Sequence, residues 1–400
     1  MASYKYSVYN SAKQGNRGGG GGRGRSGGGN KRRGEYIDPA RFVQAAKPIE
    51  ETQYEAKHRF ADFEVASIIH DNLTAKGYEF PSAIQDQTIP MALEGHDMIG
   101  IANTGTGKTA AFGIPIAHAL ITRQNAKALI VAPTRELAQQ IEDEMRSIGK
   151  GGGFTGALLI GGTGMGSQLR DLRNKPRIVI GTPGRIKDHM ERGTLKLDQF
   201  NMVVLDEVDR MLDMGFVNDV SSILDEMNPI RQSFFFSATM DPRVQGLIRT
   251  FSKDPQTVSV KSGDSSQNVN QDIVRASGTS EKMAKLHDIL LDEKVGKVIV
   301  FDETQRSVER LSNELIARGF SADAIHGGKS QGQRQRALDS FKASRTKILV
   351  ATDVAARGID VADISHVINF SQPQSYQDYV HRIGRAGRAG KIGHALTFVG

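Results

Sequence analysis

From about residue 60 the chain alternates short apolar runs with longer stretches of helical character. The runs Met98–Ala102, Ala128–Ala132, Ala157–Ile160, Ile178–Ile180, Met202–Leu205 and Phe234–Phe236 predict strands, and Lys108–Arg123 and Glu136–Ile148 predict helices between them. Such alternation builds a parallel sheet with helices on both faces. Polar, Gly and Ser residues dominate Lys253–Gln271, which predicts a linker. A second series of strands is expected at Val298–Phe301, Ala322–Ile325, Ile348–Ala351, Val367–Phe370 and Ala395–Val399. The fold class expected is therefore α/β, with two doubly wound lobes in tandem and no short internal repeat.

Residues 1–45 break this pattern. Gly18–Gly22 and Gly27–Gly29 stand among arginines with almost nothing apolar to bury, so the segment is expected to be a disordered tail. Composition adds that the formal charge is +7, from 52 basic and 45 acidic residues. The tail holds nine of the basic and two of the acidic residues, leaving 43 of each for the remainder. The whole excess belongs to the tail, where Tyr4, Tyr6 and Tyr9 add stacking faces suited to single-stranded nucleic acid. Absence of cysteine excludes disulfides and thiolate zinc sites and points to a reducing compartment. No apolar run reaches membrane-spanning length, and Met1–Lys5 opens no signal-like stretch.

Candidate chemistry lies at the strand ends. Ala102-Asn103-Thr104-Gly105-Thr106-Gly107-Lys108-Thr109 follows one strand and opens a helix. Gly105 and Gly107 let backbone N–H groups approach phosphate oxygens at the helix N-terminus. Lys108 then reaches the β- and γ-phosphates, and the Thr109 hydroxyl reaches Mg2+. A dinucleotide fingerprint does not fit, because Ala110 stands at its third glycine. The strand Met202–Leu205 ends in Asp206 and Glu207. Near a phosphate loop, Asp206 holds the Mg2+ shell, partly through water, and Glu207 polarises the attacking water as general base. His381–Arg388 places three arginines in a short glycine-rich segment. Alone it reads equally as a phosphate-backbone contact or a solvated face; beside a phosphate loop on another lobe it implies arginine fingers brought in by domain closure.

Together these motifs resemble those of the DEAD-box RNA helicases, ATP-dependent members of helicase superfamily two, over about residues 60–400. The resemblance implies two RecA-like domains: an ATP-binding one at 60–250, whose adenine-reading motif is about 60–88, and a C-terminal one at 272–400. It implies that Phe60 stacks on adenine and the Gln85 amide reads its edge, with Thr104, Gly105, Thr106, Gly107, Lys108 and Thr109 around the phosphates and Asp360 near the ribose. Glu207, Asp206, Lys108, Arg385 and Arg388 would carry catalysis. Thr134, Arg135, Gly162, Thr182 and Arg185 in the first lobe, and Gln331, Arg334, Thr352 and Arg357 in the second, would contact RNA. Asp209, Ser237, Thr239 and His381 would couple hydrolysis to strand separation.

The name motif appears as Asp206-Glu207-Val208-Asp209, with Val208 in place of Ala; local repacking is expected there. Asp302 and Glu303 are acidic where the family has apolar or neutral residues near an RNA-facing turn, and the chain stops at Gly400 where the family continues into a closing helix. The activity implied is RNA-dependent hydrolysis of ATP to ADP and phosphate, using ATP and Mg2+. It would locally unwind short RNA duplexes or remodel ribonucleoproteins through backbone contacts with little base specificity. A cytoplasmic monomer with ribonucleoprotein partners and no membrane is expected. Two other readings stand beside it: an ATP-gated RNA clamp or annealing chaperone, and a DNA-directed helicase.

Overall fold

The computed structural model describes residues 36–46, 54–103, 105–260, 268–356, 361, 363–387 and 391–400. In the first lobe, β1 (Met98–Ile101), β2 (Ala128–Val131), β3 (Gly156–Leu159), β4 (Ile178–Gly181), β5 (Met202–Leu205), β6 (Gln232–Ser237) and β7 (Gln256–Ser259) form one sheet ordered β3-β4-β2-β5-β6-β1-β7. Its pairings are parallel. Successive side chains serve opposite faces: Ile130, Val204 and Phe234 enter one core, and Leu129, Val203 and Phe235 the other. Continuous apolar runs are what a sheet covered on both faces requires. The helix Arg135–Ile148 shows how the covering layer forms: Leu137, Ile141, Met145 and Ile148 make a buried stripe, and the Thr134 hydroxyl caps it by accepting from the Leu137 N–H.

The second lobe repeats the plan with β8 (Val269–Arg275), β9 (Lys297–Phe301), β10 (Ala322–Ile325), β11 (Ile348–Ala351), β12 (Ile364–Asn369) and β13 (Gly393–Val399), ordered β10-β11-β9-β12-β13-β8. Ile299, Leu349 and Val367 face one core, Val300, Val350 and Ile368 the other. In both sheets the strand order departs from chain order, which opens a ligand crevice at the carboxyl ends of the strands.

Two expectations change here. The linker expected at 253–271 contains β7 and the start of β8, and residues 261–267 between them lie outside the described residues. Both strands lie at sheet edges; in β7 only Val258 is buried, so no apolar run marks it. The tail expected to run to residue 45 ends earlier. A single 3-10 turn, Pro39–Phe42, buries Phe42, and Gln44 pairs antiparallel with Gln271 on β8. Ile37 and Phe42 join Val269, Tyr379 and Ile383 in a small core that the tail's composition concealed. Residues 1–35, which carry most of the basic tail, lie outside the described residues.

Candidate active site

A cavity of about 410 Å3 lies at the carboxyl end of β1. Gly105, Gly107, Lys108 and Thr109 line it together with Gln85, Asp206 and Glu207, and the second lobe contributes Lys342 and Arg385. Gly105 and Gly107 take left-handed backbone, φ +84° and +89°. A β-carbon at Gly107 would collide with the Gln85 amide, so glycine is what lets the loop lie that close. The Lys108 ammonium, buried, donates to the Ala102 carbonyl at 2.8 Å and is thereby held over the loop.

Gln85 serves the loop before it serves any base. Its Oε1 accepts from the Ser82 N–H at 2.8 Å and its Nε2 donates to the Gly107 carbonyl at 3.0 Å. One amide proton and one lone pair remain for an adenine edge. Phe60, expected to stack on that base, is buried with its ring 5.4 Å from that of Tyr78, and Tyr78 lines the cavity. Next to Gln85, the buried Asp86 accepts from the Tyr54 hydroxyl at 2.6 Å and the Lys57 N–H at 2.8 Å, with His58 Nδ1 at 2.6 Å. Burial would raise its pKa, but these donors outweigh it and hold the carboxyl below its usual range. The chain ahead of Phe60 is tied to the adenine motif in this way.

The two acids after β5 differ although they are neighbours. Burial pushes the Asp206 carboxyl up to about 6; Glu207 and Asp209 add to this and Lys108 opposes it. Burial acts on Glu207 too, yet Arg210, Lys108 and Arg385 together bring it below its ordinary value. Arg210 Nη1 lies 2.6 Å from Glu207 Oε2 with both side chains buried. Glu207 also takes left-handed backbone at φ +54°, a conformation that costs energy in a side-chain-bearing residue and gathers at functional sites. A buried carboxylate that lines one cavity with Thr109 and the phosphate loop suits Mg2+, whereas an arginine-held one suits a base. Sequence reasoning missed Arg210, although its position three residues after Glu207 on a helix was a usable signal. It also missed Tyr78 and Lys342; Lys342 follows no motif.

Asp209 joins the acids to β6. It accepts from the Thr239 N–H at 2.9 Å and hydroxyl at 3.0 Å, and its own N–H donates to Ser237 Oγ at 3.3 Å. Val208 is fully buried in the core that holds Leu205 and Met211, which leaves room for its two methyl groups beyond Ala. From the second lobe, the helix Tyr376–Ile383 ends beside Arg385, and His381 lies close enough to act electrostatically on Glu207. Arg382, not singled out from the sequence, anchors that helix: it makes a two-pronged pair with Asp353 at 2.5 and 2.7 Å and donates to the Ser371 carbonyl at 2.8 Å. Thr104, Arg357, Asp360 and Arg388 lie outside the described residues.

The loops expected to touch RNA follow adjacent strands. Thr134 and Arg135 follow β2, Gly162 follows β3, and Thr182 and Arg185 follow β4, which is one half of the first sheet's carboxyl edge. The nucleotide residues follow β1, β5 and β6 on the other half. Gly162, at φ +78°, lies against the Arg135 guanidinium. In the second lobe Gln331 and Arg334 follow β10 and Thr352 follows β11. Arg334 Nη2 lies 2.7 Å from Glu136 Oε1 of the first lobe, with both side chains buried. Among the described residues, both polar atoms of the Gln331 amide and Nη1 of Arg185 are buried and find no hydrogen-bond partner, the condition of groups built for a polar ligand. Asp302, expected near an RNA-facing turn, is buried, and its carboxylate accepts from the Glu303 N–H at 2.8 Å.

A phosphate loop and acid pair on one parallel-sheet lobe, faced by an arginine from another, define a two-lobed nucleotide hydrolase. Residues 82–248 match the DEAD/DEAH box helicase family and residues 281–390 the helicase conserved C-terminal domain. The chain is 44% identical over 345 residues to the ATP-dependent RNA helicase CshA of Limosilactobacillus reuteri, covering 85% of this chain and 69% of that protein. It is 42% identical over 341 residues to the DEAD-box ATP-dependent RNA helicase CshA of Bacillus subtilis, with the same coverages. Among solved structures, S. cerevisiae Dbp5 bound to RNA and ADP BeF3 superimposes with a TM-score of 0.74 at 28% identity, covering 85% of this chain and 89% of that one. A DEAD box protein from Methanococcus jannaschii gives 0.50 at 38% identity, covering 85% and 93%. The chain belongs to the DEAD/DEAH box helicase family.

Proposed function

We propose that the two lobes close together on ATP and single-stranded RNA, and that this closure drives the chain's work as an ATP-dependent RNA helicase. The observation that carries the reading is Arg385: it comes from the second lobe yet lines the same cavity as Lys108 and Glu207. A nucleotide there would have its phosphates held by the Gly105–Thr109 loop and Lys108. Its base would lie toward Gln85 and Tyr78. Glu207, ionised and aimed by Arg210, would take the proton of the attacking water, and Arg385 would meet the charge that develops on the γ-phosphate. Thr109 and Asp206 would hold Mg2+, which neutralises phosphate charge when bound.

RNA would run along the β3-β4-β2 edge of the first sheet and the β10-β11 edge of the second, held by hydroxyls, backbone and arginines rather than by reading bases. Coupling would pass through the Asp209–Thr239 bonds, next to the base. Bending one strand during closure would expel its partner from a short duplex, and hydrolysis would reopen the lobes. Among the described residues no helix is long and apolar enough to cross a membrane; a monomer acting in the cytoplasm on ribonucleoprotein substrates completes the proposal. ATP turnover measured with and without saturating single-stranded RNA tests it. Strong stimulation by RNA, with none by DNA of the same sequence, is expected; unchanged hydrolysis would overturn the mechanism.

A further inference from the structure

The segment 36–46 precedes the first lobe in the chain but packs on the second. Phe42 is fully buried, with its ring centroid 4.7 Å from that of Tyr379. The Arg41 guanidinium lies 3.7 Å over the ring of Tyr376. Gln44 exchanges two backbone hydrogen bonds with Gln271 on β8, at 2.9 and 2.8 Å, and the Ala46 N–H donates to Asn270 Oδ1 at 2.8 Å. These contacts converge on one element. Tyr376 and Tyr379 both belong to the helix Tyr376–Ile383, and the Tyr379 hydroxyl donates to the side chain of the same Gln271 at 2.9 Å.

That helix is the one that leads into Arg385. On its inner side it is fixed by Arg382, through Asp353 and the Ser371 carbonyl. On its outer side the described chain offers Phe42 and Arg41 as backing, with Ile37 completing the small core. We propose that residues 36–46 are a positioning strap of the second lobe, with Phe42 as its anchor, which sets the Tyr376–Ile383 helix so that Arg385 meets the nucleotide held by the first lobe. This rests on the role given to Arg385 above. The strap touches neither nucleotide nor RNA; it acts through the helix. Misplacing a charge-stabilising group by about 1 Å costs roughly 10²-fold in rate, so a tilt of this short helix is enough to be read in turnover. The strap also covers β8, whose outer edge would otherwise present unpaired backbone groups.

The test uses the full chain. Phe42→Ala is expected to lower kcat of RNA-stimulated ATP turnover about tenfold or more, while KM for ATP and RNA affinity change little and Phe42→Leu recovers most of the loss. Gln44→Pro, which removes the N–H donated to Gln271 without opening a cavity, is expected to lower kcat in the same way. A purely structural strap would lower the melting temperature and leave kcat at low temperature unchanged in both variants, and that result overturns the proposal. So does a loss confined to KM or to RNA affinity. Should Phe42→Ala fail to fold, Gln44→Pro decides alone. If the unaltered chain shows no stimulation by RNA, the helicase mechanism fails; if it is stimulated and the variants keep its kcat, only the strap fails.

Discussion

In the first lobe the site side chains are bonded within that lobe: Lys108 to the Ala102 carbonyl, Gln85 to Gly107, Glu207 to Arg210 and Asp209 to Thr239. In the second, Arg334 reaches across to Glu136, Arg385 lines a cavity that belongs mostly to the first lobe, and the Gln331 amide is buried with no partner among the described residues. The first lobe's site side chains are thus fixed without help from the second, whereas the second lobe's reach toward the first. Binding and turnover should therefore be separable by lobe.

The sharpest break of that division is Arg385→Ala. Turnover should fall by about 10³-fold or more, while ATP affinity measured without RNA stays near that of the unaltered chain; a large loss of affinity would place Arg385 in ground-state binding instead. Next comes Glu207→Gln on the first lobe. It should cost about 10²-fold or more in turnover while RNA stays bound in the presence of ATP, so single-turnover hydrolysis and RNA retention must move apart. Arg334→Leu attacks the contact between lobes. It leaves Glu136 buried and unpaired, a situation worth about 3–5 kcal/mol. RNA affinity with a non-hydrolysable ATP analogue should drop by about 10²-fold, and adding Glu136→Gln should restore part of it.

Smaller effects sharpen the comparison. Deleting residues 1–34 removes eight of the nine basic residues of the tail but keeps the strap. RNA affinity should weaken most at low salt, because counterion release is greatest there, and kcat at saturating RNA should not change. Finally, His366 on β12 stacks on His394 of β13 at 4.8 Å, and burial, with His394 adding, pushes its pKa down to about 4 against the raising effect of Asp292. The folded lobe therefore keeps His366 neutral where the unfolded chain protonates it. Its stabilising contribution is complete above about pH 6.5 and is lost as pH falls toward 4. His366→Phe should flatten that acid limb of a melting curve by roughly 2–4 °C per kcal/mol removed.

Much of this was legible because the chemistry-bearing residues follow apolar strands directly, and buried parallel strands announce themselves as unbroken apolar runs. The phosphate loop after β1 and the Asp206–Asp209 run after β5 could both be placed from that rule. What escaped lies where the rule has no purchase. β7 and β8 are edge strands with polar faces, so Gln256–Ser259 and the start of β8, Val269–Gln271, read as linker. Lys342 reaches the cavity through folding of the second lobe and follows no local pattern. Phe42 and Ile37 are two apolar residues at the end of a glycine–arginine stretch, too few to raise a composition average, yet enough to seat a segment once Val269, Tyr379 and Ile383 supply the other side.

The seating of that segment carries a consequence for how the protein is made. Its hydrogen bond from Ala46 to Asn270 spans 224 residues, and Phe42 needs Tyr379, later still. A ribosome adding roughly 5–20 residues per second leaves the segment without its dock for about 10–45 s even for the first of these contacts. A stretch synthesised before either lobe is then among the last to find its place. Its burial marks the moment at which the second sheet, through β13, is complete.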